Sequence, residues 1–405
     1  MYMLLRVIGY VIDVRRKTIE PEQNISRLLL FFCFFPAVPM GPVTRYADLS
    51  KTLYAHHPFD VHRILRGLSR VLFGAFKKLV IADRLRIAVD ALSASPEQYA
   101  GAYVLLLMVF YTTQLYADFT GGIDIALGVS EMLGVTLPEN FNCPYSAKTL
   151  AEFWQRWHIT LGAWFRDYVF YPLSTSTALA AVTRLLRPKK NGNSASQTNS
   201  RGTSLRMYFA TRIPVWISTL AVWFLTGLWH GFGWHFIVWG LLNGLIILIS
   251  RELDALKRAR SGKAVRQPGD TLRILRTLFI VASLRLLDCY QNVPLAFRQF
   301  ASLFSARGWS RLFTGGLYEP GLSAADYIVV LLAVLFVWYV SRHGSVTNDP
   351  ASDGANTVNG DFRDRLLARP YTVRAVLFGA LLVATIVFGA YGQGYDASTF
   401  IYARF

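Results

Sequence analysis

Residues 213–250 read IPVWISTLAVWFLTGLWHGFGWHFIVWGLLNGLIILIS, 38 residues without one Asp, Glu, Lys or Arg. A single helix of that length would be about 57 Å long, nearly twice the ~30 Å hydrocarbon core of a bilayer. The stretch therefore has to fold back on itself, and Gly227, Gly231 and Gly233 around Leu228-Trp229-His230 mark the turn. Other charge-free windows lie outward from it. Residues 98–117, 327–341 and 375–395 predict spans, and residues 28–44, interrupted by Pro36, Pro39, Gly41 and Pro42, predict a bent one. Residues 272–291 are a weaker candidate, and an apolar run over 1–12 is too short to span.

Composition points the same way. Of the 405 residues 53% are hydrophobic and 17% charged, with mean hydropathy +0.33. A soluble domain carries about 25% charge, so this chain lacks the polar surface for several soluble cores. Disorder, collagen and a disulfide scaffold are excluded on the same figures. The net charge of +17 does not form an isolated basic patch, which argues against nucleic acid; the basic residues fall between apolar windows, as cytoplasmic loops do. Cys33, Cys143 and Cys289 read as small buried hydrophobes, without disulfide or zinc spacing.

Basic stretches over 184–212 and 251–276 flank the uncharged window, which puts both feet of that hairpin on the cytoplasmic side and sends His230 into or beyond the membrane core. Flexible cytoplasmic loops are expected near 184–206, 251–271 and 342–370, and the tail after Tyr395 on the outer side. Residues 60–90 alternate apolar positions with Arg63, Arg66, Arg70, Lys77, Lys78, Arg84 and Arg86, the pattern of amphipathic helices at the cytoplasmic interface. Asp118 and Asp124 flank Thr120-Gly121-Gly122, where a helix is expected to break. Arg285 and Asp288, three apart, predict a structural pair. Residues 151–173, AEFWQRWHITLGAWFRDYVFYPL, set Arg156, His158, Arg166 and Asp167 among aromatics, either as an interfacial anchor or as groups facing a cavity.

Few residues carry chemistry. Of seven histidines, His56, His57, His62 and His343 fall in polar stretches, whereas His230 sits at the glycine-rich turn with His235 five residues on. Imidazole accepts a proton near neutral pH, so a histidine there could activate a hydroxyl for attack on an acyl carbonyl; the bland alternative is a histidine hydrogen-bonded inside a bundle. No metal-binding pattern, phosphate loop or serine-hydrolase motif is present.

Several stretches together resemble one family. They are Asp118-Phe119-Thr120-Gly121-Gly122-Ile123-Asp124, Leu137-Pro138-Glu139-Asn140-Phe141-Asn142, Phe153-Trp154-Gln155-Arg156-Trp157-His158-Ile159-Thr160-Leu161, and Trp164-Phe165-Arg166-Asp167-Tyr168. With Leu228-Trp229-His230-Gly231 and Gly41-Pro42-Val43-Thr44-Arg45-Tyr46, they look like the signature of the membrane-bound O-acyltransferases, in the branch of alginate acetylation and teichoic-acid D-alanylation. The resemblance implies one all-α, multi-pass membrane domain over 1–405 in the plasma membrane, with about 9–11 spanning or re-entrant helices around a funnel. His230 would be its catalytic histidine and His158 the other motif histidine, with Asp118, Asp124, Arg156, Arg166 and Asp167 as polar groups of the funnel. The stretch Gly9–Arg15 resembles a segment that relatives reach after further spans, which implies missing N-terminal helices.

The implied activity is transfer of an acyl group, acetyl above all, to hydroxyls of an extracytoplasmic polysaccharide or peptidoglycan. No cofactor is implied beyond an acyl thioester co-substrate, acetyl-coenzyme A or an acyl carrier protein. Lipids surround the chain, and a secreted or membrane-anchored partner resembling an acyltransferase or esterase could pass the group on. The tail Phe400-Ile401-Tyr402-Ala403-Arg404-Phe405 resembles a motif whose tyrosine holds the acyl group as an ester, making Tyr402 an acyl-relay candidate. The alternatives are a transporter or flippase with a His/Asp proton relay, for which paired broken-helix halves are missing, and a scaffold without activity.

Overall fold

The computed structural model describes residues 2–187, 201–261, 269–344 and 362–391. Its regular elements are helices, apart from one isolated antiparallel bridge between Phe141 and Trp157. Among the described residues five helices are long and apolar enough to cross a membrane: Ala102–Met132, Met207–His230, Trp234–Lys257, Ala324–His343 and Tyr371–Phe388. Shorter apolar helices cover Ile25–Ala37 and Thr177–Leu186. The chain is a multi-pass, all-α membrane protein. It divides into two compact units, 1–160 with 270–405, and 161–269.

In the first unit the central element is the Ala102–Met132 helix. It extends the charge-free window of 98–117 by more than three turns, through Asp118 and Asp124, because both carboxylates meet cations from a neighbouring helical run. Lys78 Nζ lies 2.7 Å from Asp118 and Lys77 Nζ 2.5 Å from Asp124, and Arg70 Nε donates to Asp124 at 2.9 Å. The expected break at Thr120-Gly121-Gly122 does not occur. Its glycines instead let two helices touch. A Cβ on Gly121 would come 2.8 Å from the Gly74 carbonyl oxygen, and one on Gly128 would come 2.5 Å from that of Gly67. Gly67 and Gly74 on the Val61–Phe76 helix thus face Gly128 and Gly121 in antiparallel order, each pair two helical turns from the other.

The 60–90 region is the other partner in that contact, and it turns Arg70, Lys77 and Lys78 inward to carboxylates while Arg86 pairs with the exposed Asp90. After the Val61–Phe76 helix the chain widens into a π-helical segment, Lys77–Ala82, before resuming as Asp83–Ala94. The wide turn buries Lys77 and Lys78 side by side. Lys78 also meets Asp83 at 2.7 Å.

The first helix, Tyr2–Arg15, buries Arg6 against the carbonyls of Phe31 and Phe32 and the Phe31 ring. The bent 28–44 stretch is helical over Ile25–Cys33, turns at Pro36 in Phe35–Ala37 and then runs irregularly. Cys33 is exposed on this short helix, a correction to its buried reading, while Cys143 and Cys289 are half-buried. The weaker window became the Asp270–Tyr290 helix, in which Arg285 pairs with Asp288 at 3.7 Å as expected.

The second unit contains the 213–250 hairpin, turned where the glycines placed it: Arg201–His230, then Trp234–Ser261. Both helices run into the basic flanks, so residues 201–206 and 251–261 are helical where flexible loops were expected. Residues 184–186, 270–271, 342–344 and 362–367 of the three expected loops are helical too, while 188–200, 262–268 and 345–361 lie outside the described residues. Glu252 ties the feet together: it accepts from Trp216 Nε1 at 2.9 Å and from the Tyr208 hydroxyl, and it lies 3.5 Å from Arg212.

Candidate active site

His158 stands at a kink. The Leu150–Arg156 helix starts with the Thr149 hydroxyl accepting the Glu152 N–H at 3.1 Å, while the Glu152 carboxylate accepts the Lys148 N–H at 2.8 Å. Two residues past its end, His158 takes φ +49°, left-handed and uncommon for any residue but glycine. Such a turn leaves the following amides without helical partners, and Asn140 takes both. Its backbone carbonyl accepts the Ile159 N–H at 3.0 Å, and its Oδ1 accepts the Thr160 N–H at 3.1 Å and the Thr160 hydroxyl at 2.9 Å. Oδ1 also lies 3.2 Å from His158 Nδ1. The Thr160 oxygen in turn accepts the Val43 N–H at 3.0 Å.

Three stretches far apart in sequence, around Val43, Asn140 and His158, therefore close on one imidazole. The ring is 4% exposed, with Phe119 5.0 Å and Tyr2 6.0 Å away between centroids. Burial pulls its pKa down to about 3, so it is neutral across the physiological range.

Ionic contacts hold the frame around this clip. Arg70 grips both oxygens of Glu139, next to Asn140, at 2.6 Å each while bonded to Asp124. Trp157, beside the histidine, lies 5.1 Å under the Arg285 guanidinium, and Tyr111 donates to Asp288 at 2.9 Å. Residues 153–158 thus follow the interior reading rather than that of an interfacial anchor: Phe153 and Trp157 are buried along with His158.

His230 is placed by different means. It ends the 201–230 helix, buried, with its ring 5.0 Å from Trp239, 4.8 Å from Trp229 and stacked at 5.9 Å on Phe236. Gly231 follows with φ +154°, and a Cβ there would come 2.8 Å from the Phe236 ring. Gly227 lets the returning helix approach, since a Cβ on it would stand 2.5 Å from the Phe236 carbonyl oxygen. Beyond the turn Phe232 and Trp234 are 81% and 75% exposed, an aromatic tip over a buried imidazole.

The other expected polar residues are engaged locally. Asp118 and Asp124 sit in the buried ion pairs described above, Arg156 pairs with Glu152 at 2.8 Å, and Arg166 pairs with its neighbour Asp167 at 2.9 Å. Arg66 and Arg70, read from sequence as part of an amphipathic interfacial helix, are taken up by Glu131 and Asp364 and by Asp124 and Glu139. Tyr402 lies outside the described residues. Sequence reasoning missed Asn140, Thr160 and the Val43 amide as the groups that hold His158, although all three stand within the quoted motifs.

Comparison with known proteins agrees with this arrangement. Residues 22–186 match MBOAT, the membrane-bound O-acyltransferase family. The probable alginate O-acetylase of Azotobacter vinelandii is 30% identical over 336 residues, which is 83% of this chain and 58% of that protein. The peptidoglycan O-acetyltransferase of Helicobacter pylori is 30% identical over 231 residues, 56% of this chain and 38% of its own length. The teichoic acid D-alanyltransferase of Bacillus subtilis is 27% identical over 252 residues, 61% of this chain and 56% of its own. The chain spans about three-fifths of the length of the alginate O-acetylases that it matches. With the motifs falling in order and three of them closing on His158, residues 22–186 carry a domain of the membrane-bound O-acyltransferase family.

Proposed function

We propose that the chain is a membrane O-acyltransferase. It takes an acyl group, acetyl in the first instance, from a cytoplasmic thioester and delivers it to a hydroxyl of an extracytoplasmic glycan, directly or through a partner. The observation that carries this reading is the closure of three motif stretches on one buried, left-handed histidine. Backbone strain persists where the surroundings over-determine it, and it concentrates at functional sites.

In this reading His230 is the general base. It takes the acceptor hydroxyl's proton as the oxygen attacks the thioester carbonyl; the C–S bond breaks, and the departing thiolate is protonated to free thiol. His158, held neutral, serves as a hydrogen-bonding group and not as the proton carrier, because a pKa near 3 is far from the working range of a base. The donor is acetyl-coenzyme A or an acyl carrier protein, and Tyr402 is the candidate to hold the group as a phenyl ester in transit. The relatives' acceptors, alginate, peptidoglycan and teichoic acid, suggest a cell-envelope polymer here.

The test is thiol release from a labelled acetyl thioester by the full chain in proteoliposomes. Release that depends on His230, with label passing to the glycan or to Tyr402, is expected. Movement of an intact solute without thioester cleavage would overturn the assignment in favour of a transporter.

A further inference from the structure

We infer that Asn140 is a positioning residue that holds His158 as the neutral Nδ1–H tautomer, leaving the lone pair on Nε2. This deepens the acyltransferase reading and rests on it for its purpose, but its geometry stands alone.

The chain of donors fixes the assignment. A backbone N–H can only donate, so the Asn140 atom 3.1 Å from the Thr160 nitrogen is the amide oxygen and not the NH2 group. The Thr160 hydroxyl accepts from Val43 and lies 2.9 Å from the same oxygen, so its one hydrogen goes there. An oxygen that accepts twice already has no hydrogen to give. His158 Nδ1, 3.2 Å away, must therefore be the donor in this pair, which leaves Nε2 as the acceptor of the neutral ring.

The choice of an amide is informative. Asn140 is fully buried, and its Nδ2 has no hydrogen-bond partner among the described residues. An aspartate could accept the same three bonds without burying an unpaired donor. It would also place a negative charge against the ring and favour imidazolium, as carboxylates beside histidines do. The amide directs the ring without charging it.

The groups around the ring agree with a neutral state. Phe119 and Tyr2 face it from the 102–132 and 2–15 helices. The carboxylates next to its partners in sequence are paired with cations, Asp118 beside Phe119 with Lys78 and Glu139 beside Asn140 with Arg70.

Two measurements on the full chain in nanodiscs test this. With 15N-labelled histidine, the His158 signals, assigned by their loss in His158→Gln, should show a protonated Nδ1 and a bare Nε2 at pH 7. The opposite tautomer overturns the inference, whether or not thiol release needs His158, and leaves the acyltransferase reading standing. The second variant is Asn140→Asp. It should keep the fold and raise, by about one pH unit or more, the pH at which the His158 15N signals convert to the doubly protonated ring, the size of shift an adjacent opposite charge produces. His158 signals that titrate unchanged in well-folded Asn140→Asp mean that the residue only props the loop, and sink the positioning role. If His158→Gln retains full thiol release, the positioning role falls, while dependence of release on His230 would still uphold the acyltransferase.

Discussion

The two motif histidines are held by opposite physics. His158 is fixed by hydrogen bonds, a left-handed backbone and a frame of buried ion pairs; His230 is fixed by stacked rings and by glycines that let two apolar helices meet. A polar cage is directional and fails sharply when one partner goes, since the remaining partners are left buried and unpaired. An aromatic box is less directional and tolerates small adjustments.

The contrast is sharpest at the chemistry itself. Replacing His230 with Ala should reduce thiol release by about 10²–10⁴-fold, the usual loss on removing a general base, with insertion unchanged by protease accessibility. Residual activity above roughly a tenth of the unmodified protein would exchange the roles assigned to the two regions.

Stability should distinguish the regions next. Lys78→Met strands Asp118 and Asp83, each of which is buried, and should destabilise the protein by about 3–5 kcal/mol in detergent-solubilised denaturation. A loss below about 1 kcal/mol would mean that the ion pairs are incidental to the first unit. On the hairpin, Gly227→Ala forces a methyl against the Phe236 carbonyl and should cost a smaller amount, about 1–3 kcal/mol. A cost equal to that of Lys78→Met would erase the distinction between sharp and soft failure.

The remaining effect is a slope. The folded pKa of His158, about 3, lies below the ordinary value of 6.5, so between these limits the unfolded chain binds a proton that the folded chain does not. Its contribution to stability is therefore complete above about pH 6.5 and is lost on acidification toward pH 3, at about 1.4 kcal/mol per pH unit. His158→Asn, whose side chain tolerates the left-handed region, should flatten the denaturation midpoint against pH between about 6 and 4. An unchanged slope would mean that His158 titrates normally and is not caged.

The same contrast explains what could be read from the chain beforehand. The hairpin was legible because hydropathy and glycine punctuation are local signals, and the turn fell where Gly227, Gly231 and Gly233 placed it. Gly121 and Gly122 misled for a related reason. Glycine marks a break when backbone conformation demands it and a close approach when a partner helix does, and the partner here, Gly67 and Gly74, lies far away in sequence. The charges of 60–90 misled likewise, since an amphipathic face looks the same whether it meets water or buried carboxylates. His158 had no local signature of its role beyond the family motif. Its cage is built from residues 43, 140 and 160, and only folding brings them together.

One last consequence belongs to the π-helical segment Lys77–Ala82. A π turn holds an extra residue relative to the α-helix around it. Were the segment forced to ordinary α pitch with that residue kept, everything downstream would swing by about 100° around the helix axis. The change would act as a rotation more than a lengthening. It would turn Asp83 away from Lys78 and carry the buried side of residues 83–94 out toward the surroundings. A six-residue stretch with no catalytic group of its own thus sets the angular phase in which the first unit is assembled.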